Sequence, residues 1–305
     1  MWKKLSLVLV GLVLAIALPR TASAETTMEK VARTGILTVG TRLDLVPYSY
    51  VNDQNELVGY SIDAINLIKK RLEEQLGKEI TIQVIAEEDF AERIPKLVSR
   101  QIDISCDTVF TWERDRFVDF SVSYGISGIR LAVPKDSPLS SPESLAGQRI
   151  GVTPNTVVEQ TIKVVQPQAT LVPVQNLEEG FTALQEGQID ALAGDTVILA
   201  GEIARRESDA LMLTPTEPYA RYGVSCMVAE NNSSFLNAID YALVKMMQGY
   251  VNGEPSSVEM VGRWFGQEGI VDLPPELIRA FFQSIIITRE QIPLAEESPA
   301  SSAGQ

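Results

Sequence analysis

The sequence of 305 residues contains no histidine and only two cysteines. Without histidine, the chain cannot form a Ser-His-Asp triad, a zinc site with imidazole ligands or the His-Glu-x-x-His helix of metalloproteases. Two cysteines are too few for a four-thiolate zinc site or an iron–sulfur cluster. Most metal-dependent and triad-based catalysis is therefore excluded, and we expect neither a metal site nor a cofactor.

Basic residues are also scarce, because 26 lysines and arginines stand against 40 aspartates and glutamates, a formal net charge of −14. Binding to nucleic acid or to an anionic membrane surface requires clustered positive charge that neutralises phosphates. We therefore expect no nucleic-acid partner and no attachment to anionic lipid.

Long apolar runs are missing except for one, from residue 5 to residue 18. Lys3 and Lys4 precede this run and small residues at 22–24 follow it, which is the order found in a secretory signal peptide. The run is shorter than the roughly 20 residues that span a bilayer, although an uncleaved membrane anchor is the alternative. We expect cleavage after Ala24 and, because no cysteine near that point could carry lipid, a soluble exported protein in the periplasm.

Export changes the interpretation of Cys106 and Cys226. In an oxidising compartment a disulfide can persist, so we expect the two to be bonded, with two buried free thiols as the alternative. The bridge would close a loop of more than a hundred residues. For such a loop the chain-entropy model gives about 4–5 kcal/mol of stabilisation.

From residue 35 onward, short runs rich in β-branched residues alternate with amphipathic segments. The pattern predicts strands at 36–39, 80–85, 102–106, 129–133, 149–152, 170–174 and 189–193. It predicts helices around 62–72, 90–98, 156–165, 177–185, 235–247 and 275–287. This alternation is typical of parallel sheets with crossover helices, so we predict an α/β protein with two lobes.

An internal sequence similarity supports the prediction of two lobes. Residues 97–103 and 184–190 both end a helix, turn and begin a strand with Gln-Ile-Asp, and Asp-Thr-Val follows each. The spacing between the Gln-Ile-Asp and Asp-Thr-Val segments differs by one residue between the two halves. The internal similarity is therefore either a structural repeat or a chance likeness of two common turns. A true repeat would present the same strand end of each lobe to a shared crevice.

Ligands in open parallel sheets bind at the carboxyl ends of strands, near helix N-termini. Arginine is suited to such a site because its planar fork binds a carboxylate through two hydrogen bonds. The guanidiniums of Arg42, Arg93 and Arg114 and the carboxylate of Asp195, placed at such strand ends, would complement a small zwitterion with an extra negative charge. Each also has a structural alternative, a surface salt bridge for the arginines and helix capping for Asp195 and Thr156. The residues placed there by the pattern are Arg42, Arg93, Asp107, Thr108, Val109, Arg114, Thr156 and Asp195.

Three motifs carry a resemblance to a known family: Gly-Tyr-Ser-Ile-Asp at 59–63, the segment 114–121, and Gly-Gln-Arg-Ile-Gly-Val at 147–152. They resemble the periplasmic polar amino-acid binding proteins of ABC transporters, extracellular solute-binding family 3, over about residues 28–267. The segments 39–42, 46–50, 93–95, 118–121 and 199–202 are most similar to the glutamate/aspartate-binding branch.

The resemblance implies the type II periplasmic-binding-protein-like fold, in which a mainly parallel sheet flanked by helices forms each lobe and the ligand cleft lies between the lobes. After the signal peptide at 1–24, we expect a first lobe at 25–125 that returns at 221–270 and a second lobe at 126–220. The pattern and composition of residues 271–305 predict a C-terminal helix and a disordered tail. The implied function is binding of glutamate or aspartate by lobe closure, with an inner-membrane permease as partner, as a monomer and not as an enzyme.

The resemblance also implies individual roles. Arg114 would bind the ligand α-carboxylate together with backbone N–H groups near Val109 and Thr156, and Asp195 would accept the α-ammonium. Arg42 and Arg93 match arginines that face an acidic ligand side chain, and Thr108 matches a small hydroxyl residue beside it.

Three positions depart from the family pattern: Asp107 stands where glycine is usual, Leu177 where the acidic-ligand branch can have histidine, and Val157 where a second threonine is frequent. A neutral ligand such as glutamine is therefore an alternative. A dehydratase-type enzyme on the same scaffold is another, and it would need a general acid, for which Glu113 and Glu159 are the candidates.

Overall fold

The computed structural model describes residues 25–87 and 89–289, so the predicted signal peptide and the predicted disordered tail after Pro293 lie outside the described residues. Its helices are α1 (Thr27–Thr34), α2 (Tyr60–Leu76), α3 (Arg93–Val98), α4 (Val157–Val165), α5 (Leu177–Gln185), α6 (Thr196–Arg205), α7 (Ser233–Asn252), α8 (Pro255–Gly262) and α9 (Pro275–Arg289). Its strands are β1 (Ile36–Thr41), β2 (Asp44–Leu45), β3 (Ser49–Val51), β4 (Leu57–Val58), β5 (Thr81–Ala86), β6 (Ile104–Val109), β7 (Val118–Phe120), β8 (Gly125–Pro134), β9 (Arg149–Val152), β10 (Thr170–Pro173), β11 (Ala191–Asp195), β12 (Leu211–Thr214) and β13 (Ala220–Ala229).

The main sheet has ten strands, in the order β10-β9-β11-β8-β13-β6-β1-β5, with β12 beside β8 and β7 beside β13. At one end β5, β1 and β6 are parallel, and at the other end β10, β9 and β11 are parallel. The predicted α/β fold with two lobes and crossover helices is confirmed. The two parallel groups are joined through a central antiparallel pair, which the sequence pattern did not predict.

That central pair is β8 and β13, which run antiparallel from Ala220 opposite Ile129 to Val224 opposite Gly125. Beyond the paired stretch, β8 continues against β11 and β12, whereas β13 continues against β6 and β7. The chain therefore passes between the two lobes along two long strands.

The lobes have separate hydrophobic cores. The first combines residues from both parts of the chain, such as Val39, Ile68 and Phe235, whereas the second is formed by clusters that include Leu131 and Phe181. The chain thus leaves the first lobe, builds the second and returns. The exact domain boundaries given above stay predictions.

Helix α6 belongs to the second lobe but also packs on the first. Val197 lies in the core of the first lobe, and Leu199 lies in a core cluster of the second. A Cβ added at Gly201 would lie 2.7 Å from the carbonyl oxygen of Val46. The absence of a side chain at this position therefore allows the close approach of α6 to the first lobe.

The motif at 59–63 has a structural role. Gly59 has φ 141°, and a Cβ there would lie 2.1 Å from the carbonyl oxygen of Tyr48, so glycine is needed. The Tyr60 hydroxyl donates to the carbonyl oxygen of Tyr124 (2.6 Å), and the indole N–H of Trp264 donates to Asp63 (2.8 Å). The motif therefore fixes the start of α2 against the body of the first lobe.

The internal sequence similarity is a structural repeat at the helix-to-strand turn that contains Asp103 in one lobe and Asp190 in the other. In the first lobe, Thr38 N–H donates to the Asp103 carboxylate and Asp103 N–H donates to the Thr38 carbonyl, each at 2.8 Å. In the second lobe, Arg149 and Asp190 make the same two bonds, also at 2.8 Å. Each aspartate therefore ties the start of its own strand segment to a neighbouring parallel strand.

Cys106 on β6 and Cys226 on β13 are disulfide-bonded, as predicted. The bond links residues 120 positions apart and lies within the first lobe. Of the helices in residues 25–87 and 89–289, none combines the length and the hydropathy that a membrane crossing requires.

Candidate functional site

A cavity of about 1010 Å³ lies between the two lobes. The carboxyl ends of β1, β5, β9 and β10 open into it, as expected for a ligand site in parallel sheets. The described residues that line it are Arg42, Leu43, Asp44, Ala86, Glu87, Asp89, Phe90, Ala91, Ile94 and Arg114 on the first lobe, and Thr153, Pro154, Asn155, Thr156, Gln175, Asn176, Leu177, Glu178, Glu202 and Arg205 on the second.

Arg114 lies on the first-lobe wall with its guanidinium over the ring of Phe90, 4.4 Å from the ring centroid. Its Nη1 donates to the carbonyl oxygen of Val109 (2.8 Å) and contacts Oγ1 of Thr108 (3.5 Å). Burial lowers the pKa of Arg114, and the charge of nearby Arg93 lowers it further. Within the described part of the chain, no carboxylate forms a salt bridge with this arginine. Arg114 therefore offers charge and hydrogen-bond donors to an anion in the cavity.

The two other arginines that line the cavity each have a carboxylate partner. Arg42 binds Asp44 through two bonds, Nε to Oδ1 at 2.8 Å and Nη2 to Oδ2 at 2.7 Å. Arg205 donates to Glu202 at 2.7 Å. The charges of these arginines are thus already compensated at the cavity wall.

Arg93 is fully buried and is not among the described residues that line the cavity. Its Nη1 lies 2.5 Å from Oδ1 of Asp107 and donates to the carbonyl oxygen of Cys106 (3.2 Å). Its guanidinium also lies over Phe90, 5.0 Å from the ring centroid. The structure therefore places Arg93 in a buried ion pair behind the cavity wall.

Thr108 and Val109 lie behind Arg114. Thr108 is buried, with its hydroxyl 3.8 Å from the sulfur of Met227, and Val109 offers its carbonyl oxygen to the Arg114 guanidinium. In this structure both residues position Arg114 from the end of β6.

Thr156 lines the opposite wall as the N-cap of α4. Its Oγ1 accepts from the backbone N–H of Glu159 (3.3 Å) and donates to the carbonyl oxygen of Thr153 (2.8 Å). The positive end of the α4 dipole is therefore directed to the cavity, where it favours an anion. Glu159 binds Lys163 at 2.7 Å, which is the main reason that its pKa is lowered.

Asp195 caps α6, because its Oδ1 accepts from the backbone N–H groups of Val197 (2.9 Å) and Ile198 (3.0 Å). Oδ1 also accepts from the Ser127 hydroxyl and Oδ2 from the Tyr222 hydroxyl, both at 2.7 Å. Burial raises the pKa of Asp195, although these hydrogen bonds oppose the shift. Among the described residues, Oδ2 accepts one hydrogen bond, so it retains capacity to accept another.

The structure brings together three of the predicted residues on the cavity surface, Arg42, Arg114 and Thr156. It places Arg93, Thr108, Val109 and Asp195 behind that surface or beside it. Phe90 and Asn176 were not predicted as part of the site, whereas Leu177 at the start of α5 was named as a departure from the family pattern and does line the cavity. Their position after the carboxyl ends of β5 and β10 was the available signal, and Asn176 caps α5 there.

A model of the bacterial extracellular solute-binding proteins, family 3, matches residues 37–267. The glutamate/aspartate import solute-binding protein of Salmonella typhimurium strain LT2 is 26% identical over 267 residues, 86% of this chain and 85% of that protein. A glutamine-binding protein of Geobacillus stearothermophilus is 33% identical over 207 residues, 67% of this chain and 77% of that protein. The solved structure of an ancestral arginine-binding protein bound to arginine superposes with a TM-score of 0.66 at 27% identity, covering 76% of this chain and 99% of that one.

Proposed function

The chain belongs to family 3 of the bacterial extracellular solute-binding proteins, and from this membership we propose that it captures one free polar L-amino acid for an ABC transporter. Relatives of this chain are binding proteins for glutamate and aspartate, for glutamine and for cystine. The ligand would occupy the cavity between the lobes.

The observation that carries this proposal is Arg114, the cavity-lining arginine that has no salt bridge within the described residues. A carboxylate in the cavity would form two parallel hydrogen bonds with such a guanidinium. The N-terminus of α4, capped by Thr156, lies across the same cavity and would stabilise the same negative charge from the second lobe. These groups would bind the α-carboxylate that all amino acids share.

Asp195 would accept the α-ammonium through Oδ2. The end of β11 where it lies is paired with β8, one of the two strands that join the lobes, and Asp195 itself lies opposite Ile129. A ligand that contacts Arg114 and Asp195 would contact both lobes, so it would bind more tightly when the lobes are close together. Ligand binding would then shift the population towards the closed form.

The same geometry speaks against the dehydratase alternative. A general acid near neutral pH needs a raised pKa, whereas the pKa of Glu159 is lowered by its bond with Lys163. Glu159 lies in the first turn of α4, where it also accepts from the backbone N–H of Asn155 (2.8 Å). Glu113, the other candidate, is exposed and is not among the described residues that line the cavity. We therefore propose a binding protein and not an enzyme, exported to the periplasm and presented to an inner-membrane permease.

A thermal-shift screen of the mature chain against the twenty amino acids tests this function. Ligand at a hundred times its dissociation constant should stabilise the protein by about 2.7 kcal/mol. For a chain of this size that corresponds to a rise in Tm of about 5–10 °C. The D-enantiomer of each stabilising amino acid is the matched control, and stabilisation by none of the twenty would refute the proposal.

A further inference from the structure

Arg42 and Arg93, which the resemblance matches to arginines that face an acidic ligand side chain, each form an ion pair with a carboxylate of the chain itself. Resting on the proposed function, we propose that Asp107 makes this site select an amino acid with an uncharged polar side chain, such as the amide of glutamine, over one with a side-chain carboxylate.

The Arg93–Asp107 pair is enclosed in the first-lobe wall. The side chains are 0% and 1% exposed, and Nη1 of Arg93 lies 2.5 Å from Oδ1 of Asp107. The hydroxyls of Ser49 and Thr41 lie 3.3 and 3.5 Å from the other carboxylate oxygen. Nε and Nη2 of Arg93 are buried without a hydrogen-bond partner among the described residues, but Asp107 already compensates the charge of Arg93. A ligand carboxylate would gain that charge only by replacing Asp107, and a buried carboxylate left without its partner is strongly unfavourable.

The backbone holds Asp107 in this position. Its φ is +58°, in the left-handed region that glycine adopts readily and that aspartate and asparagine tolerate better than other residues. The Tyr124 hydroxyl accepts from its backbone N–H at 3.0 Å. The carboxylate of Asp107 is therefore an added charge on a backbone that would also suit glycine or asparagine, so this charge can be removed without a backbone change.

Three further acidic residues that line the cavity are also paired. Glu87 binds Lys96 at 2.7 Å, Glu178 binds Arg206 at 2.5 Å, and Glu202 binds Arg205 at 2.7 Å. Asp89, which also lines the cavity, adds negative charge. Among the described lining residues, this pairing leaves Arg114 as the cation without a carboxylate partner, and the ligand α-carboxylate would use it. A second carboxylate on the ligand would find no uncompensated positive charge in this part of the chain.

Isothermal titration calorimetry of the mature protein with glutamine and with glutamate tests the proposal. The wild type should bind glutamine at least about tenfold more tightly than glutamate. In Asp107→Asn and in Asp107→Gly, the charge of Arg93 is no longer compensated, so the ratio of the two dissociation constants should shift towards glutamate by about tenfold or more. The double variant Arg93→Gln/Asp107→Asn should return the ratio to the wild-type value.

Glu217→Gln is the matched control. It removes the carboxylate partner of Arg221, neither residue is among the described residues that line the cavity, and Glu217 is 82% exposed, so the ratio should stay near the wild-type value. The ratio is independent of a general loss of stability as long as circular dichroism shows a folded variant. Glutamate binding as tight as glutamine binding in the wild type, or an unchanged ratio in both folded Asp107 variants, would overturn the role of Asp107 and leave the proposed function intact. Failure of the wild type to bind any amino acid would overturn both.

Discussion

Substitution of Arg114 by alanine tests the central contact of the proposed site. The structure gives this guanidinium one strong internal bond, from Nη1 to the carbonyl oxygen of Val109, and a position over Phe90 on the cavity wall. The substitution therefore removes two things, a minor internal contact and the group proposed to bind the ligand α-carboxylate. The two effects can be separated, because the first acts on the ligand-free protein and the second acts only with ligand.

The magnitudes follow from the number of bonds. Loss of the bond to Val109 should lower the stability of the ligand-free protein by about 1 kcal/mol, or about 2–4 °C in Tm. Two charge-assisted bonds to a carboxylate contribute about 1.5–3 kcal/mol each, so the dissociation constant should rise by about 10²- to 10⁴-fold. At a ligand concentration that stabilises the wild type by about 2.7 kcal/mol, the variant should gain about 0.4 kcal/mol or less.

The assay is differential scanning fluorimetry of the wild type and three variants, with and without the amino acid that gives the largest shift. Arg114→Lys keeps the charge but not the planar fork, so it should bind with intermediate affinity. Arg116→Ala is the matched control, because Arg116 is exposed in the same segment and lies over Phe117. It should keep the full ligand-induced shift. The assignment of Arg114 is wrong if folded Arg114→Ala keeps that full shift as well.

Four further predictions concern other parts of the molecule. Burial raises the pKa of Asp195 above 3.8, so the affinity for a ligand with an uncharged side chain should fall as the pH is lowered through that raised pKa. Calorimetry on Asp195→Asn should show weak binding that does not depend on pH in this way. Because the pKa of Asp195 is higher in the folded state, Asp195 also contributes stability that is present below pH 3.8 and lost as the pH rises through the folded pKa. In urea titrations, the free energy of unfolding of the wild type relative to Asp195→Asn should therefore fall over that pH range, and a rise would contradict the assignment. Gly201→Ala would place a Cβ 2.7 Å from the carbonyl oxygen of Val46, so α6 should move away from the first lobe. Ligand affinity should then fall by about 5- to 100-fold, and X-ray scattering should show a larger radius of gyration. An unchanged radius and affinity would show that the contact does not limit closure. Reduction of the Cys106–Cys226 bond should lower the free energy of unfolding by about 2–5 kcal/mol in denaturant titrations, whereas dithiothreitol should have no effect on a Cys106→Ala/Cys226→Ala variant.

Much of the local structure is determined by the sequence itself. Helix α5 occupies the predicted residues 177–185, and the predicted strands at β1, β5, β9 and β10 lie within a residue or two of their observed bounds. These elements can be predicted from the sequence because hydrophobic periodicity and helix caps such as Asn176 act over a few residues. The family motifs likewise sit where short-range sterics require them, as Gly59 shows beside the carbonyl oxygen of Tyr48.

Only the tertiary structure shows that β13 crosses between the lobes and joins two parallel groups of strands into one sheet. Its sequence does not alternate regularly, because its two halves face different partners, β8 at one end and β6 and β7 at the other. The partner of each arginine is decided in the same way. The sequence pattern places both Arg93 and Arg114 near the strand ends, yet Asp107 forms a buried ion pair with Arg93, whereas Arg114 lines the cavity. Contacts of this kind depend on where distant segments meet, and a local pattern carries no information about that meeting.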